Sequence, residues 1–178
     1  MIKTPLSTVI GGAFWTPGCT VIGGNTPTFD QQILKLFNGE QGFFYNPNDL
    51  SMMFQNSVGT IPVTGVGQPV GLMRDKSGRN NHAYQTTSAS RPILRDAPKC
   101  IDFDMFRDKL ITNLPAQLTG CTVVRSVPNV GTKILTGQTI PVTYNDDTNH
   151  CGLLVINRAL TTSETSAITS EFNKKAGV

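Results

Sequence analysis

Charge is scarce in this 178-residue chain, where Asp, Glu, Lys and Arg together make up 15% of the residues and leave a formal net charge of +3. The closest basic cluster is Arg74, Lys76 and Arg79. No basic stripe with interleaved aromatics exists, so no nucleic-acid partner is expected. Long apolar runs are also missing. No window approaches the roughly 18 uninterrupted apolar residues of a membrane-spanning helix, so no membrane insertion is expected. The amino terminus lacks a basic start followed by an apolar run and a small-residue cleavage site. The expectation is a soluble chain that a signal peptide does not export.

Histidine is limited to His82 and His150. Neither belongs to a Ser, His and Asp arrangement with a strained nucleophile elbow, which argues against a His-dependent hydrolase. Cys19, Cys100, Cys121 and Cys151 are widely spaced, with no Cys-x-x-Cys pair and no His at zinc-finger spacing. Free, mostly buried thiols are therefore expected, with a Cys121 to Cys151 pairing on neighbouring strands left open. The repeated VIGG is not followed by Lys-Ser or Lys-Thr, so it cradles no phosphate. No catalytic residue, cofactor or resident metal is assigned.

What the chain does have is 17 glycines and 11 prolines, which favour turns and short strands over long amphipathic helices. The length suits about one domain of the usual 100 to 200 residues, with room for an appendage. Residues 1–27 differ from the rest. They are rich in Gly, Thr and Pro, carry VIGG twice, and hold Phe14 beside the single Trp15. Two readings stand for this segment. It is an attachment arm whose Phe14 and Trp15 bury themselves in a partner, or it forms the first strands of the domain.

From residue 28 the domain proper begins. Thr28 and Gln31 make a capping-box pattern, and Ile33, Leu34 and Phe37 then share one helical face before Asn38-Gly39. Between residues 41 and 69 the apolar residues come in brief clusters broken by Gly and Pro, which predicts irregular structure with one short turn at 50–54. Strands are expected at 100–106, 109–112, 121–127, 133–135, 139–144 and 152–157, at separations that suit a meander or sandwich. Thr161 and Glu164 form a second capping box, Ala167, Ile168 and Phe172 follow on one side, and Lys174 and Lys175 precede Gly177. They predict a helix over about 161–175.

The stretch GLMRDKSGRNNHAYQTTSASRP at 71–92 is the most distinctive. Gly78 permits positive φ, Asp75, Asn80 and Asn81 can bond nearby backbone, and Arg91-Pro92 forces extension, so the stretch reads as a shaped surface turn. With the upstream run NGEQGFFYNPNDLSMMFQNSVGTIPVTGVGQPVG and the closing portion from CTVVRSVPNV through NRALTTSETSAITSEFNKKAGV, it resembles tail- and fibre-associated virion proteins of tailed bacteriophages and prophages. The likeness covers about residues 36–178. It implies a concanavalin or laminin-G-like antiparallel β-sandwich, here shortened, with a short N-terminal and a C-terminal helix. A shortened sandwich has open edges, which symmetric assembly or docking onto another protein covers. In the family the His82 loop closes over the sandwich edge, which implies that His82 satisfies backbone carbonyls and packs on Tyr84.

The resemblance implies a structural virion protein, assembled in the host cytoplasm, that docks onto other virion proteins, forms homo-oligomers and contacts a cell-surface glycan. Interface candidates are Phe14, Trp15, Phe43, Phe44 and Tyr45, the last three being assigned first to core or subunit contact. Candidate glycan contacts are Tyr84, Tyr144 and His150. One alternative is a capsid decoration protein clamping capsid subunits, and others are a free lectin or a glycan-processing enzyme. Asp102, Asp104 and Asp108 lie close in sequence, and Asp102 and Asp104, which would share a strand face, are candidates for acid and base roles. Alternating Asp on a strand is the ordinary solvent face of an antiparallel sheet, and that reading is preferred. The run 145–150, NDDTNH, has the composition of a hairpin loop as much as that of an oxygen-rich calcium or sugar contact.

Overall fold

The computed structural model describes residues 27–178. The arm expected over 1–27, with Phe14, Trp15 and Cys19, lies outside the described residues apart from Pro27. Thr28 caps helix α1 (Phe29–Leu36), its hydroxyl accepting the Gln31 N–H while the Gln31 side chain accepts the Thr28 N–H. Thr161 and Glu164 do the same for α2 (Thr162–Ala176), which ends at Gly177 in the left-handed region. Both capping boxes fall where the sequence places them.

Eleven strands run in chain order between the helices: β1 (Gly42–Tyr45), β2 (Met53–Phe54), β3 (Leu72–Met73), β4 (Ala83–Tyr84), β5 (Ile93–Arg95), β6 (Cys100–Asp102), β7 (Leu110–Asn113), β8 (Leu118–Val127), β9 (Gly131–Ile140), β10 (Thr143–Asp146) and β11 (Gly152–Ile156). They form a four-stranded sheet β1-β11-β8-β9, a five-stranded sheet β10-β7-β4-β3-β2 and a small β5-β6 pair, all antiparallel. The chain is mainly β, an antiparallel β-sandwich with one helix at each end of the described sequence.

Period-two alternation sorts the side chains of the four-stranded sheet into two cores. Phe43 and Tyr45 of β1, Val123 of β8, and Leu153 and Val155 of β11 face the second sheet and pack with Met73, Ala83 and Leu110. Phe44, Val124, Leu154 and Ile156 face the other way, against Ile33, Phe37, Ile168 and Phe172. Strands β1 and β11 of this sheet are therefore buried on both faces and read as unbroken apolar runs. Each buried Phe ring contributes up to about 3 kcal/mol from its removal from water, before chain entropy is charged against it.

The short turn expected at 50–54 is present as a 3-10 turn over Leu50–Met52, and the double burial corrects the sequence reading at 42–45. A trio buried on both faces shows no polar alternation, so β1 is invisible to a period-two search. Gly42 begins β1 at φ 140°, and a Cβ there would lie 2.0 Å from the Val155 carbonyl oxygen. No other residue fits that approach. The strands expected at 133–135 and 139–144 resolve into β9 and β10, with Gly137 at φ 68° inside β9 and register shifts along β8 opposite it. The strand expected over 100–106 stops at Asp102.

The stretch 71–92 is also more than a surface turn. β3 and β4 form a hairpin, and the 74–82 turn between them folds over the free edge of β1. Asp75 accepts the Phe44 N–H (2.9 Å), the Lys76 N–H donates to the Phe44 carbonyl (2.9 Å), and the Asn81 amide donates to the Gly42 carbonyl (2.7 Å). The turn thus does the work of a neighbouring strand for an edge that would otherwise leave buried polar groups unpaired. The basic residues of the turn are consumed internally. Arg74 lies over the Phe54 ring, Lys76 pairs with Asp30 and Asp49, and Arg79 donates to the Phe37 carbonyl. His82 acts as an acceptor, its Nδ1 taking the Asp75 N–H at 3.0 Å, instead of satisfying a carbonyl.

Candidate binding face

The feature that ends β6 also builds the most prominent surface feature of the described residues. Asp104 Oδ1 accepts the backbone N–H groups of Phe106 (2.9 Å), Arg107 (2.7 Å) and Asp108 (2.8 Å). These bonds hold the Asp104 carboxyl down at about 2, and burial raises Asp108 above the usual carboxylate range. The chain turns tightly, with Met105 at φ 62°. Met105 and Phe106 are thereby pushed outward, 85% and 92% exposed. A large apolar pair fixed on a tight turn is unlike the scattered exposed apolar residues that any surface carries.

This 104–108 turn borders a depression of about 780 Å³ whose far wall is the 145–149 segment, with Ser90, Lys109 and Val127 below. Two side-chain bonds join the walls near their base: Asn149 Oδ1 accepts the Phe103 N–H, and the Asn149 amide donates to Asp102, each at 2.7 Å. Across the 145–149 segment lies a second cleft of about 310 Å³, lined by Arg125, Lys133, Leu135, Gln138, Tyr144 and Asp147 among others. It sits between β9 and β10, the end strands of their two sheets. Among the described residues no further strand pairs with β9 or β10 on its outer edge.

Under this segment the sandwich interior turns polar. Asp146 bonds Arg125 Nη2 at 3.2 Å on one oxygen and His150 Nε2 at 2.8 Å on the other, and Arg125 Nη2 also reaches the Tyr144 hydroxyl at 3.2 Å. Asp146 and His150 have no side-chain exposure. No substrate reaches this His and Asp pair, so it is a buried brace for the 145–149 segment and not a catalytic dyad. Burial raises the Tyr144 hydroxyl well above the usual phenol range.

No protein-family model, curated protein or solved structure matches this chain.

The sequence candidates divide sharply. Phe43, Phe44 and Tyr45 are fully buried inside the chain, Phe43 stacking on Tyr45 with centroids 4.9 Å apart. They are core and offer nothing to a partner. The Tyr45 hydroxyl donates to the Asn81 carbonyl (2.5 Å) and bonds Thr112 (2.7 Å). His150 is fully buried and gives a sugar no surface. Tyr144 lines the 310 Å³ cleft while its ring packs on Phe43, 5.3 Å between centroids. Tyr84 points the other way: it pairs with Ile111 on the outer face of the five-stranded sheet, whereas Tyr144 pairs with Thr112 on the inner face. These two tyrosines cannot share one ligand.

Asp102 and Asp104 do not share a strand face either. Asp102 serves Asn149 and Arg95, and Asp104 serves its own turn. Among the described residues no group of three or more His, Cys, Asp or Glu is placed to hold a metal ion. No described helix is long and apolar enough to cross a membrane.

Sequence reasoning missed Met105, Phe106 and Arg125. The signal for the first two was present in Asp104-Met-Phe-Arg-Asp108, an Asp placed to accept several following N–H groups as in an Asx turn. It was hidden because the same residues also continue the alternation of β6.

Proposed function

We propose that this chain is a structural protein of a tailed-phage or prophage virion, tail- or fibre-associated, that works by docking. The observation that carries a docking role is the Met105 and Phe106 pair, exposed on a turn that Asp104 locks, beside a depression large enough to receive a partner's side chains. Burying both side chains would supply a hydrophobic centre for an interface, and Arg107, Asp108 and Lys109 would supply its polar rim. The tail or fibre setting rests on the resemblance of residues 36–178. Many copies on one particle multiply weak contacts through avidity. The open sides at β9 and β10 suit coverage by a second copy or by a neighbouring virion protein.

Glycan contact belongs to the cleft between β9 and β10, where Arg125, Gln138, Asn145 and Thr148 present hydrogen-bonding groups beside the Tyr144 ring. Of the three sequence candidates, only Tyr144 serves there.

Cryo-electron microscopy of particles from the source phage or induced prophage tests the reading. Density for this chain on the tail or its tip, with Phe106 at a contact, supports it. Density on the capsid lattice transfers the same docking face to a decoration role, and absence from particles overturns a virion role altogether.

A further inference from the structure

Two cysteines far apart in sequence meet at the base of the proposed docking face. Ile101 and His150 exchange both backbone hydrogen bonds, N–H to carbonyl at 2.9 and 3.2 Å, in an isolated antiparallel bridge. In such a ladder the next residues outward, Cys100 and Cys151, stand directly opposite as a non-hydrogen-bonded pair, where Cα atoms are about 4.5 Å apart. That separation lies within the roughly 4.4 to 6.8 Å that disulfides span. Both residues are buried, Cys100 at 7% exposure and Cys151 at none, and both are free thiols. The pairing considered from sequence, Cys121 with Cys151, does not occur. Gly152 pairs with Ser126, five residues along β8 from Cys121, or about 17 Å away.

We propose that Cys100 and Cys151 are a modification site, a cross-strand disulfide formed by exchange with a small-molecule disulfide. The two thiols act on each other across the bridge, and they are unequal. The neighbouring Cys151 thiol holds Cys100 below the usual thiol range, while Cys100 and burial push Cys151 up. Cys121 has only burial acting on it, which raises it. Cys100, which keeps some exposure, is the attacking sulfur and the fully buried Cys151 the resolving one.

In the first step Cys100, having lost its proton to solvent, attacks the small disulfide. One thiolate leaves and a mixed disulfide remains on Cys100. Cys151 then gives up its proton and attacks the Cys100 sulfur, expelling the second thiolate. Two protein thiols are oxidised, one small disulfide is reduced to two thiols, and the two released protons balance the leaving thiolates.

Access comes by local opening of β5 and β6, a pair of three residues on each strand that, among the described residues, is flanked only by the isolated bridges Pro69 to Ile93 and Ile101 to His150. Such a pair opens locally at less cost than the global fold. The bond would tie β6, which leads into the 104–108 turn, to the residue that closes the 145–149 segment. Both walls of the 780 Å³ depression would then be stapled at their base. The existence of the bond is independent of the docking reading, and only its effect on the face rests on that reading.

The test uses the reduced full-length protein incubated with oxidised glutathione near pH 8, then alkylated in denaturant and mapped as peptides. The expected result is a Cys100–Cys151 linked peptide, alkylatable thiols falling from the four in the chain to two, and an upward Tm shift of several degrees. Cys100→Ser and Cys151→Ser should each abolish that peptide, while unreacted chains keep their reduced-state Tm. Persistence of both thiols, or scrambled links involving Cys19 and Cys121 that form only as fast as the whole protein unfolds, would overturn the proposal. Comparing the binding of reduced and oxidised protein to particles lacking this chain then bears on the face alone. Equal binding removes the stapling consequence and leaves the site standing.

Discussion

The carboxylate of Asp75 accepts the N–H of Phe44 at 2.9 Å, across 31 residues of sequence. Through that bond the most distinctive turn of the sequence closes the edge of its least legible strand. The same carboxylate also accepts the Ser77 N–H (2.8 Å), the Ser77 hydroxyl (2.7 Å) and the Asn81 N–H (3.0 Å).

Asp75→Asn replaces one acceptor oxygen by an NH₂ group facing N–H or O–H donors, so a buried donor loses its partner. The expected cost is about 3 kcal/mol, because these bonds are charge-assisted and buried. Urea denaturation measures it. A loss under about 1 kcal/mol would show that the turn does not close the β1 edge.

Tyr45→Phe separates core from interface. It deprives the Asn81 carbonyl and the Thr112 hydroxyl of a buried partner and should cost about 1 to 2 kcal/mol, or roughly 3 to 6 °C in Tm for a chain of this size. Incorporation of the folded variant into particles should be unchanged, since no atom of Tyr45 reaches the surface.

Phe106→Ser has the opposite signature. With a 92% exposed side chain, stability should stay within about 0.5 kcal/mol of the parent. Particle incorporation or partner binding should fall at least tenfold. Normal incorporation by a fully folded variant would remove the 104–108 turn from the interface.

Acid should release that turn before it unfolds the protein. The folded-state pKa of Asp104, at about 2, lies below its ordinary value, so the carboxylate stabilises the turn fully above about pH 4. The contribution is lost as pH falls from about 4 through 2. Protection factors for the amides of Phe106, Arg107 and Asp108, read by NMR exchange relative to intrinsic rates, should fall across that window, and Asp104→Asn should remove that pH dependence. Protection that stays constant from pH 5 to 2 in the parent would contradict the assignment.

A parallel acid-sensitive clamp joins β11 to α2. Arg158 bonds both oxygens of Glu164 at 2.8 Å, and this pair holds the Glu164 carboxyl down at about 2. Glu164 also accepts the Thr161 N–H. Glu164→Gln should therefore weaken both the clamp and the capping box, lowering Tm at pH 7 while approaching parent behaviour below pH 2. Thermal melts across pH 2 to 7 compare the two.

The helices were legible because their determinants are local. A Thr three residues before Gln31 or Glu164, with an apolar stripe behind it, already specifies where the chain starts to coil. β8 and β11 were legible because their β-branched and apolar runs are long. β1 was not, since Gly42-Phe-Phe-Tyr45 acquires its strand character only from β11 on one side and the 75–81 turn on the other. The candidate face divides in the same manner. Its polar segment at 145–149 stands out by composition, yet the exposure of Phe106 and the burial of His150 carry no local signature.

By itself the sequence determined the β-rich class, both helix starts and the turn chemistry around Asp75, all set by interactions a few residues long. Only the tertiary structure decided which aromatic residues are core, which apolar pair is displayed, and which cysteines meet. Those outcomes depend on sheet order and register, which bring Phe44 to Asp75 and Cys100 to Cys151 across spans that no local pattern can encode.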